Sequence, residues 1–200
     1  MPWNDKATVR TIMNKKNFFI RFAKLTAWHD EKKTGITDEL AERIIALLEK
    51  YGKVHVSSER ELAPQFEKYR VKIKTFDILH VLYYADLYIG DSQTMTAEAA
   101  VLGTPSLRFN DFVGKLGYLE ELEHKYDLTY GIPTDEPEKL YAKIDELMQH
   151  QNLKVEWKVK REKMLAQTID TTKFLVWFFE NYPKSAETMK SNPDYQNNFH

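Results

Sequence analysis

Short runs rich in aromatic and β-branched residues alternate along the chain with longer stretches in which apolar residues recur at helical spacing. This alternation is typical of βαβ units, in which helices join parallel strands. It predicts six strands, at residues 18–22, 54–57, 71–73, 87–90, 106–109 and 128–132. We therefore expect an α/β, Rossmann-like three-layer domain with a mostly parallel sheet and a long C-terminal helix.

Helical stripes and their end signals predict what joins the strands. Thr37 can cap a helix that Gly52 ends. Further helices are expected at 61–69, 78–84, 94–102, 118–126 and 136–148, and an amphipathic segment at 155–182 has late aromatic residues that must pack on the body or on a partner. We expect residues 1–16 to be an N-terminal lead-in, 17–182 the domain, and 183–200 a poorly ordered tail.

Composition narrows the class of protein. The chain of 200 residues has 42% hydrophobic and 30% charged residues, which is typical of a soluble globular protein. Its net charge of -1 comes from scattered charges, so nucleic-acid binding is not expected. Cysteine is absent, which excludes disulfides and thiolate metal sites, and we expect no metal. The sequence has neither a signal peptide nor an apolar run long enough to span a membrane, so we expect a cytoplasmic protein.

Polar residues follow each predicted strand, and the strand-to-helix junction at Asp91 is the most informative of these places. Ligands of open parallel sheets bind beyond the carboxyl ends of the strands. A helix beginning near Thr94 would present free N–H groups to a phosphate, with hydroxyl donors from Ser92 and Thr94. Glu98, one turn later, suits the vicinal hydroxyls of a ribose. The alternative is ordinary helix capping with a solvated glutamate.

The run ADLYIGDSQTMTAEAAVLGTP at 85–105 resembles the C-terminal domain of GT-B glycosyltransferases and of non-hydrolysing UDP-N-acetylglucosamine 2-epimerases, and looks closest to an uncharacterised bacterial and archaeal branch near the epimerases. In those families an Asp-Ser-Gly-Gly turn holds the diphosphate, a glutamate one turn along holds the ribose, and Leu-Gly-x-Pro leads into the next strand. The resemblance implies diphosphate contacts from Asp91, Ser92, Gln93 and Thr94 and a ribose contact from Glu98. Gln93 and Thr94 replace the two glycines, so side-chain donors must substitute for a close backbone approach.

Two further stretches extend the resemblance. His29, after the first predicted strand, falls where the epimerases have a histidine that acts beside the sugar, which implies a catalytic role. A structural or solvated histidine is the alternative. Arg108 and Lys115 lie in a stretch similar to the mobile loop of these enzymes, and the resemblance implies diphosphate contacts for both. Surface cations are the alternative interpretation.

GT-B enzymes have two Rossmann-like domains, and this chain has the length of one. The resemblance therefore implies a nucleotide-sugar substrate, UDP-linked, with no further cofactor, and an isolated chain that is inactive until an N-terminal domain or a separate subunit completes it. Such enzymes act in cell-surface polysaccharide biosynthesis. Two other functions stay open: a noncatalytic interaction module that docks through residues 174–179, and a phosphorelay receiver. The receiver is disfavoured because Asp91 follows the fourth predicted strand and opens a Ser/Thr-rich helix.

Overall fold

A computed structural model describes residues 16–24 and 35–200 and confirms the α/β class. The described residues form five strands: β1 (Lys16–Phe22), β2 (Gly52–Ser58), β3 (Leu87–Gly90), β4 (Ser106–Phe109) and β5 (Thr129–Ile132). Their α-helices are α1 (Asp38–Leu48), α2 (Ile78–Tyr84), α3 (Gln93–Leu102), α4 (Gly117–Glu120), α5 (Pro137–Gln149), α6 (Leu153–Leu165), α7 (Thr171–Glu180) and α8 (Lys184–Ser191). Shorter 3-10 helices span Pro64–Tyr69, Thr75–Asp77 and Pro193–Asn198, and a π-helical turn, Glu121–Lys125, continues α4.

All five strands are parallel, in the order β2-β1-β3-β4-β5. The chain first adds β2 on one side of β1 and then returns to add β3 on the other side, so the strand order reverses between β1 and β3. In open parallel sheets, the crevice beyond the carboxyl ends at such a reversal is where ligands bind. The topology therefore directs attention to the residues that follow β1 and β3.

The strand predicted at 71–73 is wrong, because the sheet has five strands and not six. This segment forms a single parallel bridge, between Val56 and Arg70, and one ladder hydrogen bond, from Val71 N to Val56 O at 2.9 Å. It follows the outer side of the edge strand β2. Val71 and Ile73 are only partly buried, against the core around Phe19, and lysines alternate with them, so the segment lacks the two-sided burial that holds the central strands.

The helices predicted at 78–84, 94–102 and 136–148 are present with ends shifted by at most one residue, whereas 61–69 contains a 3-10 helix and 118–126 contains part of α4 and the π-helical turn. Thr37 caps α1 as expected, its hydroxyl accepting from Leu40 N at 3.3 Å. The proposed role of Gly52 as the end of that helix is wrong, because Glu49 caps α1 and Gly52 begins β2. The stretch 155–182 contains two helices, α6 and α7, and Asp170 caps the second. Residues 183–200, expected to be poorly ordered, contain α8 and a 3-10 helix.

Both faces of the sheet are buried. Successive side chains of a strand point to opposite faces, so Phe18 and Ile20 of β1 share one face and Phe19 the other. All three are at most 1% exposed. On the second face, Phe19 and Tyr88 pack with residues of α2 and α3 in one apolar cluster that includes Val81, Leu82, Ala85 and Ala99. This cluster fixes α3, the helix that begins beyond the carboxyl end of β3.

The chain divides into two compact units, one up to Lys160 and one of Arg161–His200. In the first, buried Trp157 donates its indole N–H to Leu128 O at 2.8 Å and so holds α6 to the end of the loop before β5. In the second, α7 and the C-terminal residues share an aromatic cluster of Phe174, Trp177, Phe178, Tyr195 and Phe199. Over the described ranges, we find no helix with the length and apolar character needed to cross a membrane.

Candidate functional site

Helix α3 begins directly beyond β3, at the point where the strand order reverses. Ser92 is its N-cap, with Oγ accepting from Met95 N at 3.4 Å, and Thr96 Oγ1 donates to Ser92 O at 2.7 Å. The first N–H groups of a helix have no partner inside the helix, and here they belong to Gln93 and Thr94. Thr94 is exposed, and Ser92 and Gln93 are half-buried, so this leading edge is open to a ligand.

Asp91 precedes that opening and is buried. The residue is 3% exposed, and its carboxylate accepts from Ala23 N at 2.6 Å and from Ile36 N at 3.3 Å. Its backbone carbonyl accepts from Asn110 Nδ2 at 2.9 Å. Asp91 thus connects the end of β1, the entry to α1 and the end of β4 to the start of α3.

Burial raises the pKa of Asp91 to about 6, although the N–H groups of Ala23 and Ile36 and the charge of Arg60 act in the opposite direction. Removing a carboxylate from water disfavours its charged form, and the two N–H donors recover only part of that loss. The Asp91 carboxyl group therefore gains or loses its proton around pH 6, in mildly acidic solution.

Two arginines, Arg21 and Arg60, connect the loop after β2 to neighbouring segments at the carboxyl edge of the sheet. Arg21 of β1 donates to Ser57 Oγ and to Glu59 Oε1, each at 2.5 Å. Arg60 donates to Ile36 O and lies 4.9 Å from the ring centroid of Phe22. These bonds hold the loop after β2 against the segment that enters α1.

Arg108 and Lys115, both predicted to contact a diphosphate, have protein partners in the loop and helix that follow β4. Arg108 is 1% exposed, and its Nη2 lies 3.4 Å from Glu120 Oε1 and 3.9 Å from Glu123 Oε2. Lys115 donates to Asp111 O, within its own loop, at 2.8 Å. In this structure, Arg108 holds the helix after β4, and Lys115 stabilises the turn between them.

The other predicted residues divide into two groups. Glu98 lies in the second turn of α3 and is half-buried, on the same helix as Ser92 and Thr94. His29 lies outside the described residues. Across the ranges 16–24 and 35–200, no group of three or more His, Asp or Glu side chains could hold a metal ion.

Two residues of the edge were not singled out as site residues from the sequence. Asn110 is fully buried and also accepts from Phe112 N at 3.0 Å, so it fixes its own loop as well as Asp91. Gly35 lies against the Asp91 carboxylate, because a Cβ at that position would lie 2.6 Å from Asp91 Oδ2. The signal for Asn110 was its place directly after a strand, equivalent to that of Asp91 after β3.

The strand count changes the argument about a phosphorelay receiver. Asp91 follows the third strand of the observed sheet, not the fourth, so the counting argument against a receiver is wrong. The geometry disfavours a receiver on other grounds. A phosphoacceptor must be reachable, whereas the Asp91 carboxylate is buried and both of its oxygens accept backbone N–H groups.

Solved structures with the same architecture identify the fold. A putative UDP-N-acetylglucosamine 2-epimerase from Listeria monocytogenes matches with a TM-score of 0.53 and 12% identity over 78% of this chain and 42% of that chain. The calicheamicin glycosyltransferase CalG4 matches with a TM-score of 0.53 and 12% identity over 84% and 44%. The spinosyn rhamnosyltransferase SpnG, complexed with spinosyn aglycone, matches with a TM-score of 0.52 and 12% identity over 83% and 47%. The fold is that of one domain of GT-B proteins, and the chain spans less than half the length of each structure.

The family follows from a sequence model that covers residues 16–122, more than half of the chain. The chain belongs to the family described as "Protein of unknown function (DUF354)". No curated protein sequence matches it significantly.

Proposed function

We propose that this chain binds the diphosphate of a nucleotide sugar, UDP-linked, at the leading edge of α3. It would be the donor-binding half of a glycosyltransferase or sugar-nucleotide epimerase. The observation that supports this most directly is the open N-terminus of the ten-residue helix α3 at the strand-order reversal. A helix N-terminus attracts anions through its free N–H groups and its dipole.

The roles of the side chains follow from their places on α3. The N–H groups of Gln93 and Thr94 would donate to phosphate oxygens, with the exposed Thr94 hydroxyl as a further donor. Ser92 Oγ already accepts from Met95 N, so its hydroxyl hydrogen is the part available to a ligand. Glu98 would accept from the ribose hydroxyls, as acidic residues do in other nucleotide-binding folds.

A partner domain belongs to this proposal. The solved structures that share the fold are more than twice as long as the part of them that this chain matches. A reacting sugar that lies between two domains needs both of them to position it and to exclude water. We propose that an N-terminal domain or a separate subunit supplies the second half, and that His29 acts beside the sugar in the completed enzyme.

Ligand-dependent thermal stabilisation tests the binding function. UDP and UDP-N-acetylglucosamine at about 100 times their Kd should raise the unfolding free energy by about 2.7 kcal/mol, whereas GDP-mannose and CMP-sialic acid should have little effect. Glu98→Ala should weaken UDP binding about tenfold, or by about 1.4 kcal/mol, and leave binding of inorganic pyrophosphate unchanged.

Glu146→Ala on α5 is the matched control, because Glu146 is an exposed helical glutamate paired with Lys143. It should bind UDP like the wild type. The proposal fails if neither UDP nor UDP-N-acetylglucosamine protects the protein, or if the two glutamate variants bind UDP equally well.

An interaction module on the same fold is the second candidate. On α7, Leu175, Val176 and Phe179 are exposed, and Phe179 is exposed over 71% of its surface. Exposed apolar groups of this kind are typical of contact surfaces. This function predicts that nucleotides have no effect and that Phe179→Ser abolishes association with a partner, as measured by analytical ultracentrifugation.

A further inference from the structure

Asp91 has the geometry of a residue that positions the site without touching the ligand. Its carboxylate joins two backbone N–H groups that are distant in sequence, one just after β1 and one just before α1. Its own backbone continues directly into Ser92, the cap of α3. The residue that holds the two N–H groups is therefore directly adjacent to the cap of α3.

Asn110 and Gly35 make this arrangement specific. The buried Asn110 amide holds the Asp91 carbonyl from the β4 side, so the residue is fixed through both its main chain and its side chain. Gly35 has no Cβ and so leaves the space that the carboxylate needs to reach Ile36 N. Few of these bonds can change without moving the start of α3.

Two titratable side chains, Arg60 and Tyr88, lie near the Asp91 carboxylate. Arg60, after β2, is the cation that acts on it, and Arg60 is itself bound to Ile36 O and lies 3.8 Å from Asp38. From β3, the buried Tyr88 is a further titratable neighbour: burial chiefly, and the nearby charge of Asp91 in addition, raise the pKa of its phenol. No lysine or arginine within the described residues makes an ion pair with Asp91, so its hydrogen bonds to the backbone are its main support.

We propose that Asp91 is a positioning residue for the anion site: its carboxylate ties Ala23 and Ile36 together, and this fixes the leading edge of α3 for a diphosphate. The role rests on the proposed function, because it concerns the same site. The sequence predicted that Asp91 contacts the diphosphate directly. In the role proposed here, Asp91 instead fixes the backbone of residues 92–94. Protonation of the carboxyl group, or its replacement by an amide, turns one acceptor oxygen into a donor group and breaks one of the two bonds.

The experiment follows two quantities in the full chain across a pH range of about 5 to 8. The first is the amide chemical shifts of Ala23 and Ile36, measured by NMR without ligand. The second is the affinity for UDP-N-acetylglucosamine, whose diphosphate does not titrate in this range, whereas the terminal phosphate of UDP does so near pH 6. Both quantities should share one inflection, with affinity falling several-fold towards acid.

Two variants complete the test. Asp91→Asn should remove the inflection from both measurements and weaken binding about tenfold at neutral pH, or by about 1.4 kcal/mol. Asp86→Asn is the matched control, since Asp86 also accepts a backbone N–H from another element, Asn17 N at 2.7 Å, but at the opposite edge of the sheet. It should keep the inflection and the wild-type affinity.

The outcomes separate the two proposals. If the amide chemical shifts of Ala23 and Ile36 do not change with pH, the proposed link between these two residues through the Asp91 carboxylate is wrong. This measurement uses the wild type, so it does not depend on how the variants fold. Responding amides with pH-independent binding, equal in wild type and Asp91→Asn, would overturn the positioning role while the binding function stands. Responding amides with no binding of UDP-N-acetylglucosamine at any pH would overturn the proposed function, and the positioning role with it.

Discussion

Strand β3 lies between two aspartates that have opposite surroundings. Asp86, at the amino end, accepts from Asn17 N at 2.7 Å, has Lys154 Nζ 3.2 Å away and is 23% exposed at its side chain. Asp91, at the carboxyl end, is buried and bonded to backbone N–H groups. Asp86 has water and a lysine to stabilise its charge, whereas Asp91 depends on correctly placed backbone. The charge of Asp91 is thus supported mainly by hydrogen bonds from the backbone, whereas that of Asp86 is also supported by a lysine and by water.

A second titratable group sharpens this contrast. His55 of β2 lies 3.1 Å from Asn17 Oδ1, on the side of Asp86, and burial lowers its pKa to about 4, with the charge of Lys53 adding to the effect. Burial raises the pKa of Asp91 to about 6. In both cases burial favours the neutral form, but the two groups respond to pH with opposite sign.

The largest expected effect is a pH-dependent difference in stability between wild type and Asp91→Asn. Between about pH 4 and pH 6, folded Asp91 keeps a proton that the unfolded chain has released, so its contribution to stability falls as pH rises. A shift of about two pKa units corresponds to about 3 kcal/mol. Urea unfolding should therefore show the variant gaining about 3 kcal/mol relative to wild type from pH 3.5 to pH 7.

His55→Gln is the counterpart with the opposite sign. Folded His55 is neutral between about pH 4 and pH 6.5, where the unfolded chain binds a proton, so its contribution to stability rises with pH. The variant should lose about 2 to 3 kcal/mol relative to wild type over that interval. If the unfolding curves of both variants ran parallel to the wild type at every pH, the contrast between the two groups would be wrong.

The next effect comes from Gly35→Ala, which places a methyl group 2.6 Å from Asp91 Oδ2. Overpacking of this kind should lower the unfolding free energy by about 1 to 3 kcal/mol. Gly117→Ala is the control, because a Cβ there meets no atom within 4 Å, and it should stabilise the protein by up to about 1 kcal/mol. Equal stability of the two variants in urea unfolding would contradict the close approach at Gly35.

The smallest effect is expected at the amino edge. Asp86→Asn retains an oxygen that can accept from Asn17 N and loses only the attraction to the partly exposed Lys154. Its cost at neutral pH should be below about 1 kcal/mol. A larger loss in thermal or urea unfolding would show that both edges depend equally on their aspartates.

The sequence predicted the fold because its strongest signals are local and periodic. All five observed strands lie within two residues of their predicted ends, and Thr37 caps α1 as predicted. The error at 71–73 has a physical cause: the residues have strand-like composition, but their pairing depends on an edge that offers one bridge. Whether such a segment joins a sheet depends on tertiary contacts that composition does not contain.

The candidate site was predictable as a location and less so in its details. Ser92 and Thr94 were recognised because caps and free helix N–H groups have sequence signals. The direction of the Asp91 carboxylate depends on the backbone N–H groups of Ala23 and Ile36. Every residue type except proline has such a group, so the sequence contains no signal for these bonds. The burial of Arg108 beneath Glu120 likewise requires knowledge of where the next helix lies. The roles of Ser92, Gln93, Thr94 and Glu98 in ligand binding, and that of His29 in catalysis, stay predictions.

One row of residues near the carboxyl ends of the strands has a consequence for which substitutions the sheet accepts. Arg21, Gly90 and Arg108 are register partners on adjacent strands, with Gly131 beside Arg108. A Cβ at Gly90 would collide with the Tyr88 hydroxyl, and one at Gly131 would lie 2.7 Å from Arg108 Nη2. A larger residue at Gly90 or Gly131 would require the buried Tyr88 or Arg108 side chain to move, so substitutions should be tolerated more easily in the loops beyond these strands than at these two positions.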